Sequence, residues 1–117
     1  PLGFNIDDKA VRRAGLDYWR NVDLREHASA DDFWGWAADR RAHLFSTKGE
    51  KTYADVEWQS GDVLVFGPET RGLDASLIQE HGAYRIPMSG PIRSLNLANA
   101  VAVVTYGALQ KIDSGLF

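Results

Sequence analysis

Apolar residues follow two patterns along this chain, one typical of buried strands and one typical of amphipathic helices. The strand pattern is strongest over Asp62–Phe66, where four consecutive apolar residues follow a Ser60-Gly61 turn. A continuous apolar run of this length predicts a strand buried on both faces, as in a parallel sheet. Further strands are predicted at Ala42–Thr47 and Ala83–Pro87, and a weaker pattern indicates one at Val22–His27.

Helices are predicted between these strands. Short ones are expected over Lys9–Ala14, from the cap Ser29 to about Arg40, and over Ala75–Glu80 after the cap Asp74. The last helix begins after Ser94 or Asn96 and ends near Ile112. Its apolar residues recur every three or four positions and form one stripe, consisting of Leu97, Val101, Val104, Ala108 and Ile112. Alternating strands and helices predict an α/β fold, a mainly parallel sheet flanked by helices.

Composition narrows the class of protein. The chain has 117 residues, which suits a single domain over 1–117, and its 44% hydrophobic and 25% charged residues exclude a disordered chain. A net charge of −3 argues against a broadly basic nucleic-acid binder but leaves room for a local basic face. No apolar run is long enough to span a membrane. Cysteine is absent. We expect a cytoplasmic protein.

The loop Gly67–Gly72 is the first candidate for chemistry. It follows the strongest strand and precedes a helix, which is where open α/β sheets bind ligands. Its two glycines permit a close approach to a ligand or a positive φ, and Glu69 and Arg71 place both charge signs there. The alternative is an ordinary Gly-Pro turn with solvated charges, because the loop matches neither of the phosphate-binding glycine motifs.

A second candidate lies at the start of the last helix, where Arg93, Ser94 and Asn96 come together. A helix N-terminus presents unpaired N–H groups that bind an anion, although a plain helix cap explains the same residues. The three histidines, His27, His43 and His81, have no metal-ligand spacing, so we expect them at the surface or at an edge and expect no metal.

Five ordered segments of the chain resemble the SPOUT class of RNA ribose 2′-O-methyltransferases. They are Gly3–Tyr18, Ser46–Gly49, Phe66–Leu73, Arg85–Met88 and Arg93–Val101. The resemblance extends over essentially the whole chain. It is strongest to the small members of the class that methylate the wobble cytidine or uridine of tRNA.

The resemblance implies a C-terminal trefoil knot, a rare feature among protein folds, and a crevice that binds S-adenosyl-L-methionine between three loops. The family's cofactor positions fall on Phe45, Gly67, Ile86 and Ser94, where main-chain groups do most of the binding. Met88 and Leu95 extend the apolar slot for the adenine.

The implied reaction is methyl transfer to a ribose 2′-OH, for which the protein supplies alignment and electrostatics. Expected catalytic residues are Glu69 and Arg71, as organisers of the loop and the RNA backbone, and Ser94 and Asn96, near the methyl group. Expected phosphate contacts are Arg12, Arg13, Lys48 and Arg71. Family members form dimers through their terminal helices, so a homodimer that binds tRNA is expected.

Members of the class open with a further strand and an Asn-x-Gly-Asn-x-x-Arg motif that this sequence does not show. We therefore expect the domain to lack the family's first strand and motif. Two alternatives stay open on the sequence alone. One is a methyltransferase of this class that acts on another RNA, such as ribosomal RNA. The other is a fragment that binds cofactor or RNA without turnover.

Overall fold

The computed structural model describes residues 22–68, 71–88 and 95–116. The predicted helix Lys9–Ala14 lies outside these residues. The chain divides into two compact units, Pro1–Ala38 and Asp39–Phe117.

In the first unit, helix α1 spans Ala30–Trp36. Ser29 is its N-cap, and the Ser29 Oγ accepts a hydrogen bond from the Asp32 N–H at 3.1 Å. The predicted N-cap is therefore confirmed, whereas the helix ends before Arg40. The strand prediction at Val22–His27 is wrong, since this segment is irregular. Three charged residues interrupt its apolar pattern, and His27 instead packs its ring against Phe33 and Trp36.

The second unit is built on a four-stranded parallel sheet, which confirms the predicted class. Its strands are β1 (Ala42–Phe45), β2 (Lys51–Thr52), β3 (Val63–Phe66) and β4 (Tyr84–Arg85), in the spatial order β2-β4-β1-β3. Phe45, the last residue of β1, lies opposite both Phe66 and Tyr84. No strand is predicted where β2 lies, because a two-residue strand has no apolar periodicity to detect.

Two helices complete this unit, α2 (Ala75–His81) and α3 (Leu97–Ile112). Asn96 begins α3, and its Oδ1 accepts a hydrogen bond from the Ala98 N–H at 2.9 Å. Of the two cap candidates, Asn96 thus occupies the cap position, and Ser94 lies outside the described residues. Short 3₁₀ turns occur at Tyr53–Asp55 and Ser114–Leu116. Within the described ranges, no helix has the length and apolar character needed to cross a membrane.

The core forms where α3 meets the sheet and the segment after β2. Its buried members are Phe45, Val56, Trp58, Val104 and Ala108. Only the middle of the predicted α3 stripe is fully covered, since Val101 and Ile112 are 37% and 39% exposed. The residues of β3 are half-buried rather than buried on both faces. The reason is that β3 lies at the edge of the described sheet and pairs only with β1.

A polar pair at the amino ends of β1 and β3 corrects the expectation for one histidine. His43 is largely buried, and its Nε2 lies 3.0 Å from Asp62 Oδ2, while its ring packs on Trp58. Burial of Asp62 alone would raise the pKa of its carboxyl. The bond from the Gln59 N–H, the bond with His43 and the charge of Arg41 outweigh burial and lower the pKa below its ordinary value of 3.8.

Asp62→Asn should destabilise the protein by about 1–3 kcal/mol near neutral pH, because the negative charge that strengthens the hydrogen bonds with Gln59 and His43 is lost. A lowered native pKa means that the unfolded chain binds the proton first. The carboxylate therefore stabilises the fold fully above its ordinary pKa and loses that effect as the pH falls from there through the lowered native pKa. Urea unfolding of both proteins, followed by tryptophan fluorescence, should show a gap that narrows in acid. A gap of constant size down to about pH 3 would contradict this role of Asp62.

Candidate functional site

The carboxyl ends of β1, β3 and β4 meet around a cavity of about 130 Å³. Parallel strands direct these ends to one edge of the sheet, which is the usual binding edge of α/β folds. Five predicted cofactor residues line this one cavity and are thus brought together. They are Phe45, Gly67, Ile86, Met88 and Leu95.

The cavity is also lined by six residues that were not predicted as cofactor contacts, namely Ser46, Thr47, Phe66, Tyr84, Leu97 and Ala100. Ser46 directly follows the predicted residue Phe45, and Phe66 directly precedes the predicted residue Gly67. Their adjacency to predicted positions was a usable signal. Tyr84 and Ala100 enter through the packing of β4 and α3, which has no local signature.

Aromatic rings make one wall of the cavity flat and apolar. Phe45 stacks on Phe66 with ring centroids 5.1 Å apart and ring planes at 20°. The ring centroids of Tyr84 and Phe45 are 6.1 Å apart. An apolar slot of this kind suits a planar heteroaromatic ring, while main-chain groups at strand ends supply directional hydrogen bonds. The residues present therefore fit the adenosyl part of S-adenosyl-L-methionine.

The two glycines of the β3–α2 loop have different roles: Gly67 permits a close approach of the main chain, and Gly72 adopts a positive φ. A Cβ on Gly67 would lie 2.2 Å from the Gly72 carbonyl carbon, so Gly67 is required by close packing of the loop on itself. Gly72 has φ of 67°, a region that favours glycine. Its N–H donates to the Pro68 carbonyl at 2.8 Å and closes the loop. The tight constraint at Gly67 thus comes from the protein itself.

The structure does not bring the predicted catalytic and RNA-binding residues together in the cavity, as it does the predicted cofactor residues. Arg71, Asn96 and Lys48 are exposed and lie outside the described lining of the cavity. Asn96 acts as the cap of α3 through its Oδ1. Glu69, Ser94, Arg12 and Arg13 lie outside the described residues, so their roles stay predictions. Among the residues that the structure places, no three His, Asp or Glu side chains are grouped as metal ligands.

Comparison with known proteins gives one consistent result. The SpoU rRNA Methylase family model matches residues 1–106. The tRNA (cytidine(34)-2′-O)-methyltransferase of Escherichia coli is 44% identical over 115 residues, which cover 96% of this chain and 73% of that protein.

Solved structures agree with this result. One, from work on the 2-OH methylation of C/U34 on tRNA, superposes with a TM-score of 0.87 at 44% identity, covering 95% of this chain and 74% of that chain. The AdoMet-bound rRNA methyltransferase of Sinorhizobium meliloti is 32% identical, with a TM-score of 0.61, and the match covers 69% of this chain and 33% of that one.

Proposed function

The chain belongs to the SpoU rRNA Methylase family, and from this premise we propose that it methylates the ribose 2′-OH of the wobble nucleotide of tRNA. The methyl donor is S-adenosyl-L-methionine, and the protein works in the cytoplasm. The observation that carries the proposal is the cavity at the carboxyl edge of the sheet, where Phe45, Gly67 and Ile86 meet. The name of the 44% identical relative supports nucleotide 34 as the target.

The bound cofactor would supply an electrophilic methyl group on a sulfonium. Main-chain groups of Phe45, Gly67 and Ile86 would hold the adenosine, with Met88 and Leu95 excluding water from its ring. Removal of water strengthens the electrostatic interactions inside the site. Ser94 adds a side-chain contact in this proposal.

The protein's part in the reaction is to align the ribose hydroxyl with the methyl group and to accommodate the proton that leaves as the O–C bond forms. We assign Glu69 and Arg71 to the organisation of the loop and the RNA backbone. Ser94 and Asn96 are the polar groups assigned to the vicinity of the methyl group. The exposed position of Asn96 at the start of α3, next to the cavity residues Leu95 and Leu97, supports this assignment.

The exposed cations near this edge, Lys48 and Arg71, would contact the RNA phosphates. Arg12 and Arg13 are further phosphate contacts in this proposal. A net acidic chain has to concentrate its positive charge where it meets phosphates.

Arg71→Ala should weaken tRNA binding and reduce the slope of log K against log salt by about 0.7–0.9, because one phosphate contact is lost. Affinity for S-adenosyl-L-methionine should stay the same. Arg41→Ala is the matched control, since Arg41 directly precedes β1 and so lies at the amino ends of the strands, away from the cavity at their carboxyl ends. Filter binding at several salt concentrations measures both slopes. An unchanged slope for Arg71→Ala would remove this residue from the RNA contact surface.

The competing substrate within the family is ribosomal RNA, which the 32% identical neighbour's description names. The tRNA assignment is favoured because the identity is higher to the relatives named for tRNA, and their match covers nearly all of this chain. Equal amounts of undermodified tRNA and ribosomal RNA, offered in one reaction with labelled cofactor, separate the two. Label in the ribosomal RNA alone would overturn the tRNA assignment. Binding of cofactor with no transfer to either RNA would support a non-catalytic role.

We further propose that residues 1–117 form one domain of the SPOUT class with its trefoil knot, and that two copies associate through α3. The support for association is an uncharged, exposed face on this helix. Tyr106 is 61% and Val103 37% exposed. With Asn99 and Gln110 they lie opposite the buried Val104 and Ala108.

A further inference from the structure

The β1–β2 loop, Ser46–Glu50, forms one wall of the cavity because Ser46 and Thr47 line it. Hydrogen bonds fix its first half. The Ser46 N–H donates to the Tyr84 carbonyl at 2.9 Å, and the Gly49 N–H donates to the Ser46 carbonyl at 3.0 Å. Ser46 Oγ accepts from the Lys48 N–H at 3.1 Å. The start of the loop is thus tied to β4.

The second half of the loop is held by a side chain. Arg85 Nη1 donates to the Gly49 carbonyl at 3.1 Å and to the Glu50 carbonyl at 2.6 Å. Gly49 is buried, and a Cβ there would lie 2.4 Å from the Tyr84 carbonyl carbon. The loop therefore rests directly on the main chain of β4, and Arg85 holds it there.

We propose that Arg85 is a positioning residue for the methyl donor. Its guanidinium fixes the Gly49–Glu50 end of the β1–β2 loop. The hydrogen bond from the Gly49 N–H to the Ser46 carbonyl connects that end to Ser46 and Thr47, which would lie against S-adenosyl-L-methionine. Arg85 is not among the described residues that line the cavity, so it acts through the loop. This role rests on the proposed function, because it concerns the same cavity.

The chemistry of the contact explains why an arginine suits this position. A guanidinium is charged at every relevant pH and presents several N–H donors in a rigid plane. Among the described ion pairs, none involves Arg85. Its donors instead satisfy two loop carbonyls that precede β2. A lysine at this position carries a single, more flexible donor group and should hold the loop only in part.

The test compares Arg85→Met with Arg41→Met. Arg41 makes the same type of contact, since its Nη2 donates to the Glu57 carbonyl at 2.9 Å. It lies at the amino end of β1, whereas the cavity lies at the carboxyl ends of the strands. Calorimetric titration should show at least about tenfold weaker binding of S-adenosyl-L-methionine by Arg85→Met. Arg41→Met should bind within about twofold of the parent. Arg85→Lys should fall between the parent and Arg85→Met.

Hydrogen exchange of the cofactor-free proteins provides a readout that does not depend on activity. The amides of Thr47–Glu50 should exchange faster in Arg85→Met than in the parent, and at the parent rate in Arg41→Met. If Arg85→Met does not fold, Arg85→Lys decides by the same two measurements. A folded Arg85 variant with parental affinity and parental loop exchange would overturn the role of Arg85. A parent protein that binds no S-adenosyl-L-methionine would instead overturn the proposed function.

Discussion

Gly67→Val should abolish binding of S-adenosyl-L-methionine. Any Cβ at this position would lie 2.2 Å from the Gly72 carbonyl carbon and 2.4 Å from the Leu73 nitrogen, and both are main-chain atoms. The β3–α2 loop has to move away to admit the side chain, and the cavity edge that Gly67 forms moves with it. We expect an affinity loss of more than about a hundredfold, equivalent to about 2.7 kcal/mol.

Calorimetric titration measures this loss, and circular dichroism checks that the sheet remains. Gly35→Val is the matched control, because a Cβ on Gly35 meets no atom within 4 Å. Gly35 lies in α1 and should tolerate the change with unaltered cofactor affinity. Parental affinity in a folded Gly67→Val protein would show that the cavity at this loop is not the cofactor site.

Tyr106→Glu should convert the proposed dimer to a monomer. In a twofold interface each copy presents the same patch, so the substitution places two like charges in one desolvated contact. The change should lower the particle mass from twice 13.0 kDa to 13.0 kDa at micromolar concentration. Sedimentation equilibrium distinguishes these masses directly.

Ser76→Glu provides the control for added charge, since Ser76 is an exposed position on α2. It should leave the mass of the particle unchanged. A Tyr106→Glu protein that sediments with the parental dimer mass would exclude the α3 face as the interface. A monomeric parent would exclude the dimer itself.

Patterns that repeat within a few residues were enough to predict much of this fold. The apolar run before Gly67 predicted β3, and the stripe that includes Val104 and Ala108 predicted α3 and its buried face. The position of the Gly67 loop after a parallel strand predicted the edge of the sheet at which the cavity lies. The cap residue Ser29 located the start of α1, and Asn96 was one of the two caps predicted for α3, because both side chains satisfy helix N–H groups locally.

Features that depend on distant partners escaped prediction. Arg85 contacts carbonyls 35 and 36 residues earlier in the chain, and nothing in its neighbours indicates this. His43 is buried because Asp62 and Trp58 surround it, although its own spacing suggested an exposed ring. Strand β2 exists only because β4 pairs with it. Tertiary contacts therefore decide the parts of the site that local pattern leaves open.

The most direct test of the proposed function is to locate the transferred methyl group. The protein is incubated with tRNA that lacks wobble modification and with S-adenosyl-L-methionine carrying an isotopically labelled methyl. The RNA is then digested and analysed by mass spectrometry. We predict one labelled 2′-O-methyl ribose, at the wobble nucleotide, and none with Gly67→Val. Label on a base, label at another nucleotide, or no transfer to tRNA by a protein that binds the cofactor would contradict the account.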